Sequence, residues 1–284
     1  MKRPQEIAKE ERSMTTIVNL TNAFEGIASM RIAQIKNQVL ASQQFFSELW
    51  HIYTQIRVDQ LFRFGRQDQD QVVDKDLYIA ITAEGGFSGD IDQRLINWVL
   101  KDYDPKKQDL IIIGHHGAVQ LMQAGVKYKK YFKLPEKDQN INVAPLVKEV
   151  RQYKNAVVYY QTYISLMSQD VKRIALSQAV QDAGKKVQKD DEVISEFNYI
   201  FEPTAYAVAA HLERSMLEVA LSQVILDSKL AQYASRFRAM TMAHDRSDES
   251  LRDLHLLFNR AKRGQSDERL KEIINGLKKT RVVQ

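Results

Sequence analysis

The sequence predicts an α/β fold in which two long terminal helices pair as an antiparallel coiled coil and flank a small central α/β domain. Three observations predict this arrangement. Apolar residues recur every three or four positions along both ends of the chain, no proline follows Pro203 or falls between Pro4 and Pro105, and most glycines lie in the middle. We therefore expect an N-terminal helical segment over residues 1–64, a central domain over 72–202 and a C-terminal helical segment over 203–284.

The first segment predicts one helix from about Ile7 to about Phe62, because its apolar residues follow a heptad-like spacing that is typical of paired helices. Arg31 falls between two members of this stripe, and Gly26 weakens the helix by about 1 kcal/mol relative to Ala. The predicted stripe is Ile17, Leu20, Phe24, Ile27, Ile35, Val39, Phe46, Leu49, Tyr53 and Ile56.

The last segment carries a more regular stripe, in which steps of four and three residues alternate from Leu212 to Ala261. A helix from Thr204 to about Leu277 would be on the order of 110 Å long, which exceeds the core of a domain of this size. Its stripe therefore needs a partner, and the N-terminal helix is the natural one. The stripe is Leu212, Met216, Val219, Gln223, Leu226, Leu230, Tyr233, Phe237, Met240, His244, Ser247, Leu251, Leu254, Phe258 and Ala261.

The middle of the chain alternates strand-like with helix-like runs, which predicts a largely parallel, Rossmann-like sheet with helices on its faces. Asp90 is a candidate N-cap for the first of these helices. We predict strands at residues 77–82, 109–114, 128–134, 156–163 and within 198–201, and helices at 91–100, 118–123 and 144–153.

Composition excludes several classes of protein. The chain has no cysteine, so a disulfide framework, a thiolate zinc site and a thiol nucleophile are all excluded. No apolar run approaches the roughly 20 residues of a membrane span, so we expect a protein that is soluble or held at a membrane only through partners. The net charge of +5 permits an acidic partner without requiring nucleic acid.

Two short motifs could carry chemistry. Residues 84–89, EGGFSG, follow a predicted strand, where a phosphate-binding loop or a nucleophilic Ser88 would lie. The glycine spacing that either motif requires is missing, so a structural turn is favoured. His115 and His116 could bind a metal only with further ligands, and no H-E-x-x-H motif is present. The arginines of the last helix fit a solvated face or a charged protein contact better than nucleic acid, because acidic residues are interleaved with them.

Several segments together resemble the gamma subunit of F-type rotary ATP synthases. They are AFEGIA at residues 23–28, EGGFSG at 84–89, YIFEP at 199–203, SRFRAM at 235–240, LLFNRAK at 256–262 and LKEIING at 270–276. The resemblance covers nearly the whole chain in order. Ser88 replaces a usual Cys, and residues 7–17 and 262–270 depart from the family pattern, which indicates a divergent member.

This resemblance implies a central-stalk rotor that transmits torque between a membrane c-ring and a catalytic alpha/beta hexamer, coupling ion translocation to ATP synthesis or hydrolysis. It implies a single copy per complex, contacts with the alpha, beta and epsilon subunits and the c-ring, and no catalytic residue, cofactor, metal, nucleic acid or membrane span of its own. The expected location is the cytoplasmic face of the inner or plasma membrane.

The resemblance also implies which residues contact the stator or other partners. These are Phe24, Ile27, Arg31, Arg236, Met240, Asn259, Lys262, Arg263, Asp267 and Arg269.

Two other functions remain open from the sequence. A structural coiled-coil adaptor with an α/β head would form stable self-dimers through its apolar stripes. A small-molecule enzyme with its site at residues 84–89 would bind a nucleotide as the isolated chain.

Overall fold

A computed structural model describes residues 3–55, 73–138, 141–153, 155–176, 202 and 204–282. The elements are α1 (Pro4–Gln55), β1 (Asp76–Ile81), α2 (Ile91–Asp102), β2 (Gln108–Ile113), α3 (His115–Gln123), β3 (Lys130–Phe132), α4 (Ala144–Val150), β4 (Ala156–Tyr163), β5 (Gln169–Ala175) and α5 (Ala205–Val282). They form two compact units: Met1–Ile27 with Arg238–Gln284, here the helical unit, and Ala28–Phe237, here the head unit. Both α1 and α5 contribute to both units.

The head unit contains a five-stranded sheet with the order β3-β2-β1-β4-β5. Its pairs β1–β2, β2–β3 and β1–β4 are parallel, whereas β5 runs antiparallel to β4. The predicted α/β class and the largely parallel sheet are thereby confirmed. The edge strand β5 is an element that the sequence pattern did not predict.

Side chains alternate between the two faces of β1, and each face has its own core. Tyr78 and Ala80 pack with α2 and α3, while Leu77, Ile79 and Ile81 pack with α4 and α5. From α5 the residues in this second core are Leu221, Val224 and Ile225. The C-terminal helix therefore covers one face of the sheet, which fixes it to the head.

Helices α1 and α5 pair antiparallel within the head unit, as predicted. Ile32 and Ile35 pack against Leu226, Leu230 and Ala234. Further along α1, Phe46 packs against Met216 and Ala220, which come earlier on α5. Every member of the predicted α5 stripe from Leu212 to Ala261 is buried or half-buried.

The predicted stripe on α1 is wrong in its first half. Ile17, Leu20, Phe24 and Ile27 are 43%, 52%, 36% and 47% exposed. The less exposed positions there are Ile7, Glu11, Met14, Val18, Thr21, Glu25 and Ala28. The step from Ile27 to Ile35 is eight residues, one more than a heptad, so the predicted stripe joined two different faces of the helix.

In the helical unit the seam of α1 therefore includes polar residues. Glu11 is half-buried, and its Oε1 lies 3.0 Å from Nδ1 of His255 on α5. Thr21 is buried, and its hydroxyl donates to the carbonyl of Ile17 at 3.0 Å. A search for apolar residues alone misses a seam of this composition.

Several observed element boundaries differ from the predicted ones by a few residues. Helix α3 begins at His115, α4 ends at Val150 and β3 has only three residues. Asp90 stands at the N-cap of α2, as predicted, although its side chain makes no capping hydrogen bond. The expected end of α1 near Phe62, Ile56 and the predicted strand within 198–201 lie outside the described residues, and so does the side chain of Tyr53. The three domain boundaries stay predictions.

Within the described ranges, none of the helices combines the length and the hydropathy needed to cross a bilayer.

Candidate functional site

A polar region connects the α/β sheet to α5 inside the head unit. We call it the junction and define it as Ser88, Asp92, His116, Gln161, Ser228, Gln232, Ser235 and Arg236. Its residues come from the loop after β1, from α2, α3 and β4, and from three successive turns of α5.

Asp92 lies at the centre of the junction, wholly buried in the first turn of α2. Its Oδ1 accepts hydrogen bonds from the amide of Ala83 at 3.2 Å and from Nε2 of Gln161 at 2.7 Å. Its Oδ2 lies 2.7 Å from Nδ1 of His116. These partners, together with the helix N-terminus, compensate for removing a carboxylate from water.

His116 is the titratable partner of the Asp92 carboxylate. The hydrogen bond to Asp92 raises the pKa of His116 above its ordinary value, and the partial burial of the ring, which lowers that pKa, does not outweigh it. The imidazolium form is therefore favoured over a wider pH range than in an isolated histidine.

Gln161 connects the Asp92 network to α5 through hydrogen bonds. It is wholly buried in the middle of β4. While its Nε2 donates to Asp92, its Oε1 accepts from the hydroxyl of Ser228 and from Nε2 of Gln232, the latter at 3.2 Å. One amide side chain thus bridges the sheet and two turns of α5.

The loop at residues 84–89 forms the second contact with α5. Ser235 Oγ donates to the carbonyl of Ser88 at 2.6 Å. The guanidinium of Arg236 donates to the carbonyls of Gly85 and Gly86, each at 3.3 Å, and its Nη2 lies 3.4 Å from Ser88 Oγ. The guanidinium also lies over the ring of Tyr233, 5.4 Å from its centroid.

This geometry favours the structural turn among the three alternatives for the loop. The loop offers carbonyl oxygens to a cation of its own chain, whereas a phosphate site needs amide donors. Ser88 is buried, and the group beside its hydroxyl is a guanidinium, which donates protons rather than accepting them.

Glu84 anchors the start of the loop. Its carboxylate accepts from the amide of His115 at 3.3 Å, from the amide of Leu134 at 3.1 Å and from the hydroxyl of Tyr131 at 3.1 Å. The loop is therefore held to the start of α3 and to β3 and the segment after it before it reaches α5.

The residues predicted to contact partners are divided between the two units. Arg31 and Arg236 belong to the head unit, where Arg31 lies 3.5 Å from Asp138 and Arg236 holds the loop. The remaining eight fall in the helical unit. Among them Phe24 and Ile27 are exposed on α1, and Asn259, Lys262, Arg263, Asp267 and Arg269 are exposed on α5.

Met240 differs from these, because only 7% of it is exposed, which leaves little of the side chain for another subunit. The contacts of all ten residues with partners stay predictions.

Sequence reasoning missed most of the junction. Gln161 was detectable, because it is a polar residue inside the apolar strand AVVYYQTY. Asp92 gave a weaker signal, since an acidic residue in the first turn of a helix is common. Among the described residues, no group of three or more His, Asp or Glu is arranged to hold a metal ion.

Comparison with known proteins gives a consistent result across the chain. A family model described as ATP synthase matches residues 4–278. The ATP synthase gamma chain of Chloroherpeton thalassium is 24% identical over 297 residues, covering 96% of both chains. The ATP synthase gamma chain of Streptococcus mutans is 24% identical over 271 residues, covering 90% of this chain and 91% of the relative.

Two solved structures share the fold. One is the central stalk and c-ring of the Tetrahymena thermophila mitochondrial ATP synthase, with a TM-score of 0.56 and 16% identity over 79% of this chain and 99% of that chain. The other is the Euglena gracilis mitochondrial ATP synthase, OSCP/F1/c-ring, with a TM-score of 0.54 and 15% identity over 92% of this chain and 93% of that chain.

Proposed function

Because the chain belongs to the ATP synthase gamma family, we propose that it is the central-stalk rotor subunit of an F-type ATP synthase. It transmits torque between the membrane c-ring and the alpha/beta hexamer. In this way it couples the translocation of H⁺ or Na⁺ to the synthesis or hydrolysis of ATP.

The observation that carries this proposal is the double role of α5. Leu221, Val224 and Ile225 of α5 belong to the core of the sheet. Leu226, the residue after Ile225, and Leu230, one turn further along, belong to the core shared with α1. A force that turns the head therefore enters the paired helices through one continuous helix, with no flexible linker in between.

The junction supports the same function because its contacts are directional. Apolar side chains can slide past one another at low cost, whereas hydrogen bonds weaken steeply when their geometry changes. Gln161 and Arg236 hold α5 to the sheet and to the loop at residues 84–89 through such bonds. They resist rotation of the sheet about the helix axis.

In this proposal the chain carries no catalytic residue, cofactor or metal of its own, and the chemistry of ATP belongs to the alpha and beta subunits. The burial of Ser88 and the engagement of the loop carbonyls by Arg236 support this assignment. Its partners are the alpha, beta and epsilon subunits and the c-ring, with one copy per complex. It lies at the cytoplasmic face of the inner or plasma membrane, peripheral to the bilayer.

Stoichiometry in the native assembly tests the proposal. Purification through a tag on the full chain, followed by native mass spectrometry, is expected to yield one copy of the chain bound to an ATP-hydrolysing hexamer of alternating subunits. A stable homodimer with no hexamer would contradict the rotor and favour the coiled-coil adaptor.

A further inference from the structure

Asp138 is a buried acidic residue that lies between the two long helices and belongs to neither. Its side chain is 6% exposed, in the segment that follows β3. Lys229 on α5 forms an ion pair with its Oδ1, and Nη1 of Arg31 on α1 lies 3.5 Å from its Oδ2. One carboxylate thus connects three parts of the head unit.

Lys229 is enclosed by the segment that carries Asp138. Only 3% of its side chain is exposed. Its Nζ donates to the carbonyl of Pro135 at 2.8 Å and lies 3.5 Å from the carbonyl of Lys137. A lysine is almost never fully buried unless it is paired. Here two backbone carbonyls and the Asp138 carboxylate of this segment surround the ammonium group.

The ion pair of Asp138 with Arg31 on α1 is more exposed than its ion pair with Lys229. Arg31 is 43% exposed, and it also donates to Oε1 of Gln34 at 3.4 Å. Nearby, Nζ of Lys36 lies 5.5 Å from the centroid of the Tyr163 ring at the end of β4. Helix α1 thus contacts the rest of the head through these long cationic side chains and through the partly buried Ile141 and Tyr163, whereas α5 also contributes to the core of the sheet itself.

This difference matters for a rotor. Torque on the head enters α5 directly, but α1 follows only if it cannot slip or roll against α5. Apolar seams specify the register of paired helices weakly, and a buried polar group is a well-attested way to fix it. We propose that Asp138 is a positioning residue for torque transmission, which holds α1 and α5 to the head in a single register through Arg31 and Lys229.

The inference rests on the proposed rotor function and deepens it. It also predicts an asymmetry between variants. Removing Arg31 removes the ion pair to α1 and leaves the Asp138–Lys229 pair intact, whereas removing the charge of Asp138 weakens the ion pairs to both helices and leaves a buried ammonium without its carboxylate.

Because the chain has no cysteine, two cysteines can be introduced for spin labels without other changes. Ala33→Cys on α1 and Asn97→Cys on α2 are both at exposed positions. In the assembled complex we expect Arg31→Gln to raise the population of altered α1-to-head distances by about two- to fivefold, the range for the loss of one partly exposed ion pair. Arg31→Lys is expected to restore most of the original distribution.

Arg94→Gln is the matched control. Arg94 forms an ion pair with Asp170 at 2.9 Å and is 46% exposed, which makes it similar to Arg31 in exposure. This pair joins α2 to β5 and includes no residue of α1 or α5. The distance distribution is expected to stay unchanged. An unchanged distribution in Arg31→Gln would overturn the inference.

A double-mutant cycle separates this role from a contact between Arg31 and the stator. The readout is the membrane potential generated per ATP hydrolysed in proteoliposomes, measured with a voltage-sensitive dye. We expect Arg31→Gln and Asp138→Asn each to lower this ratio, and the double variant to lose no more than Asp138→Asn alone. Additive losses would overturn the inference, because Arg31 would then act elsewhere.

The failure of the inference is distinguishable from the failure of the proposed function. A wild-type chain that neither assembles with a hexamer nor supports a potential would contradict the rotor itself. A wild-type complex that generates a potential, with Arg31→Gln unchanged in both distance and potential, would contradict only the role of Asp138. If Asp138→Asn does not assemble, the distances in Arg31→Gln decide alone.

Discussion

The wholly buried carboxylate of Asp92 lies 2.7 Å from Nδ1 of His116, so a titratable pair sits where the sheet meets the loop that holds α5. Asp92 also accepts from Gln161, which reaches Ser228 on α5. The protonation of one histidine is thus connected through hydrogen bonds to the attachment of the long helix.

The first prediction concerns pH. The pKa of His116 is raised in the folded chain by its hydrogen bond to Asp92, so protonation stabilises the folded state. That stabilisation is fully present below the unfolded pKa of about 6.5 and is lost as pH rises through the higher folded value. Urea unfolding of the full chain between about pH 6 and pH 9 is expected to show this decline. His116→Gln should flatten it and the exposed neighbour variant His115→Gln should not; identical pH profiles in all three proteins would contradict the assignment.

The second prediction concerns Gln161. Gln161→Leu preserves much of the volume but removes the acceptor of the Ser228 hydroxyl, the direct bond from Gln232 and one of the two hydrogen bonds to Oδ1 of Asp92. We expect a loss of about 3 kcal/mol in the free energy of unfolding, the cost of leaving buried polar groups unsatisfied. Gln93→Leu, at an exposed position of α2, is the control and should change little. Equal unfolding midpoints for the two variants would show that the network contributes nothing.

The third prediction contrasts two glycines. Gly114 has a φ of 99°, and a Cβ there would lie 2.1 Å from the carbonyl oxygen of Thr82. Gly114→Ala should therefore cost about 3 kcal/mol or more, from backbone strain and displacement of β1. A methyl group at Gly26 on α1 would meet nothing within 4 Å, so Gly26→Ala should stabilise the helix by about 1 kcal/mol. Thermal unfolding that ranks the two variants in the opposite order would refute both arguments.

The fourth prediction concerns the seam of the helical unit. Met240 is 7% exposed and Met242 is 49% exposed on the same helix. Met240→Asp should destabilise the helical unit by about 3 kcal/mol because it buries an unpaired charge, whereas Met242→Asp should be nearly neutral. Hydrogen exchange of the α5 amides after Arg238 measures this directly. Equal protection in the two variants would remove Met240 from the seam.

Periodicity predicted α5 well because its seam from Leu212 onward is mostly apolar and follows a single register. It predicted α1 poorly because Glu11, Thr21 and Glu25 occupy seam positions, while apolar residues such as Leu20 lie outside the seam. A stripe chosen by hydrophobicity alone therefore lies on the wrong face of the first half of α1.

Strands were predictable where both faces are buried, as in the apolar run of β1. The edge strand β5 was not, because Val171 is the one apolar residue among its first five and the others carry polar or charged side chains. The junction depends on residues far apart in the chain, such as Ser88 and Ser235, and no local pattern predicts that they meet.

Direct observation of rotation tests the central claim most closely. A complex immobilised through its hexamer would carry a bead on the head, attached at Asn97→Cys, an exposed position of α2 in a chain with no other cysteine. Addition of ATP is expected to drive continuous rotation of the bead in one direction, which stops when ATP is exhausted. A bead that shows only Brownian motion while the same complexes hydrolyse ATP would contradict the assignment of this chain as the rotor.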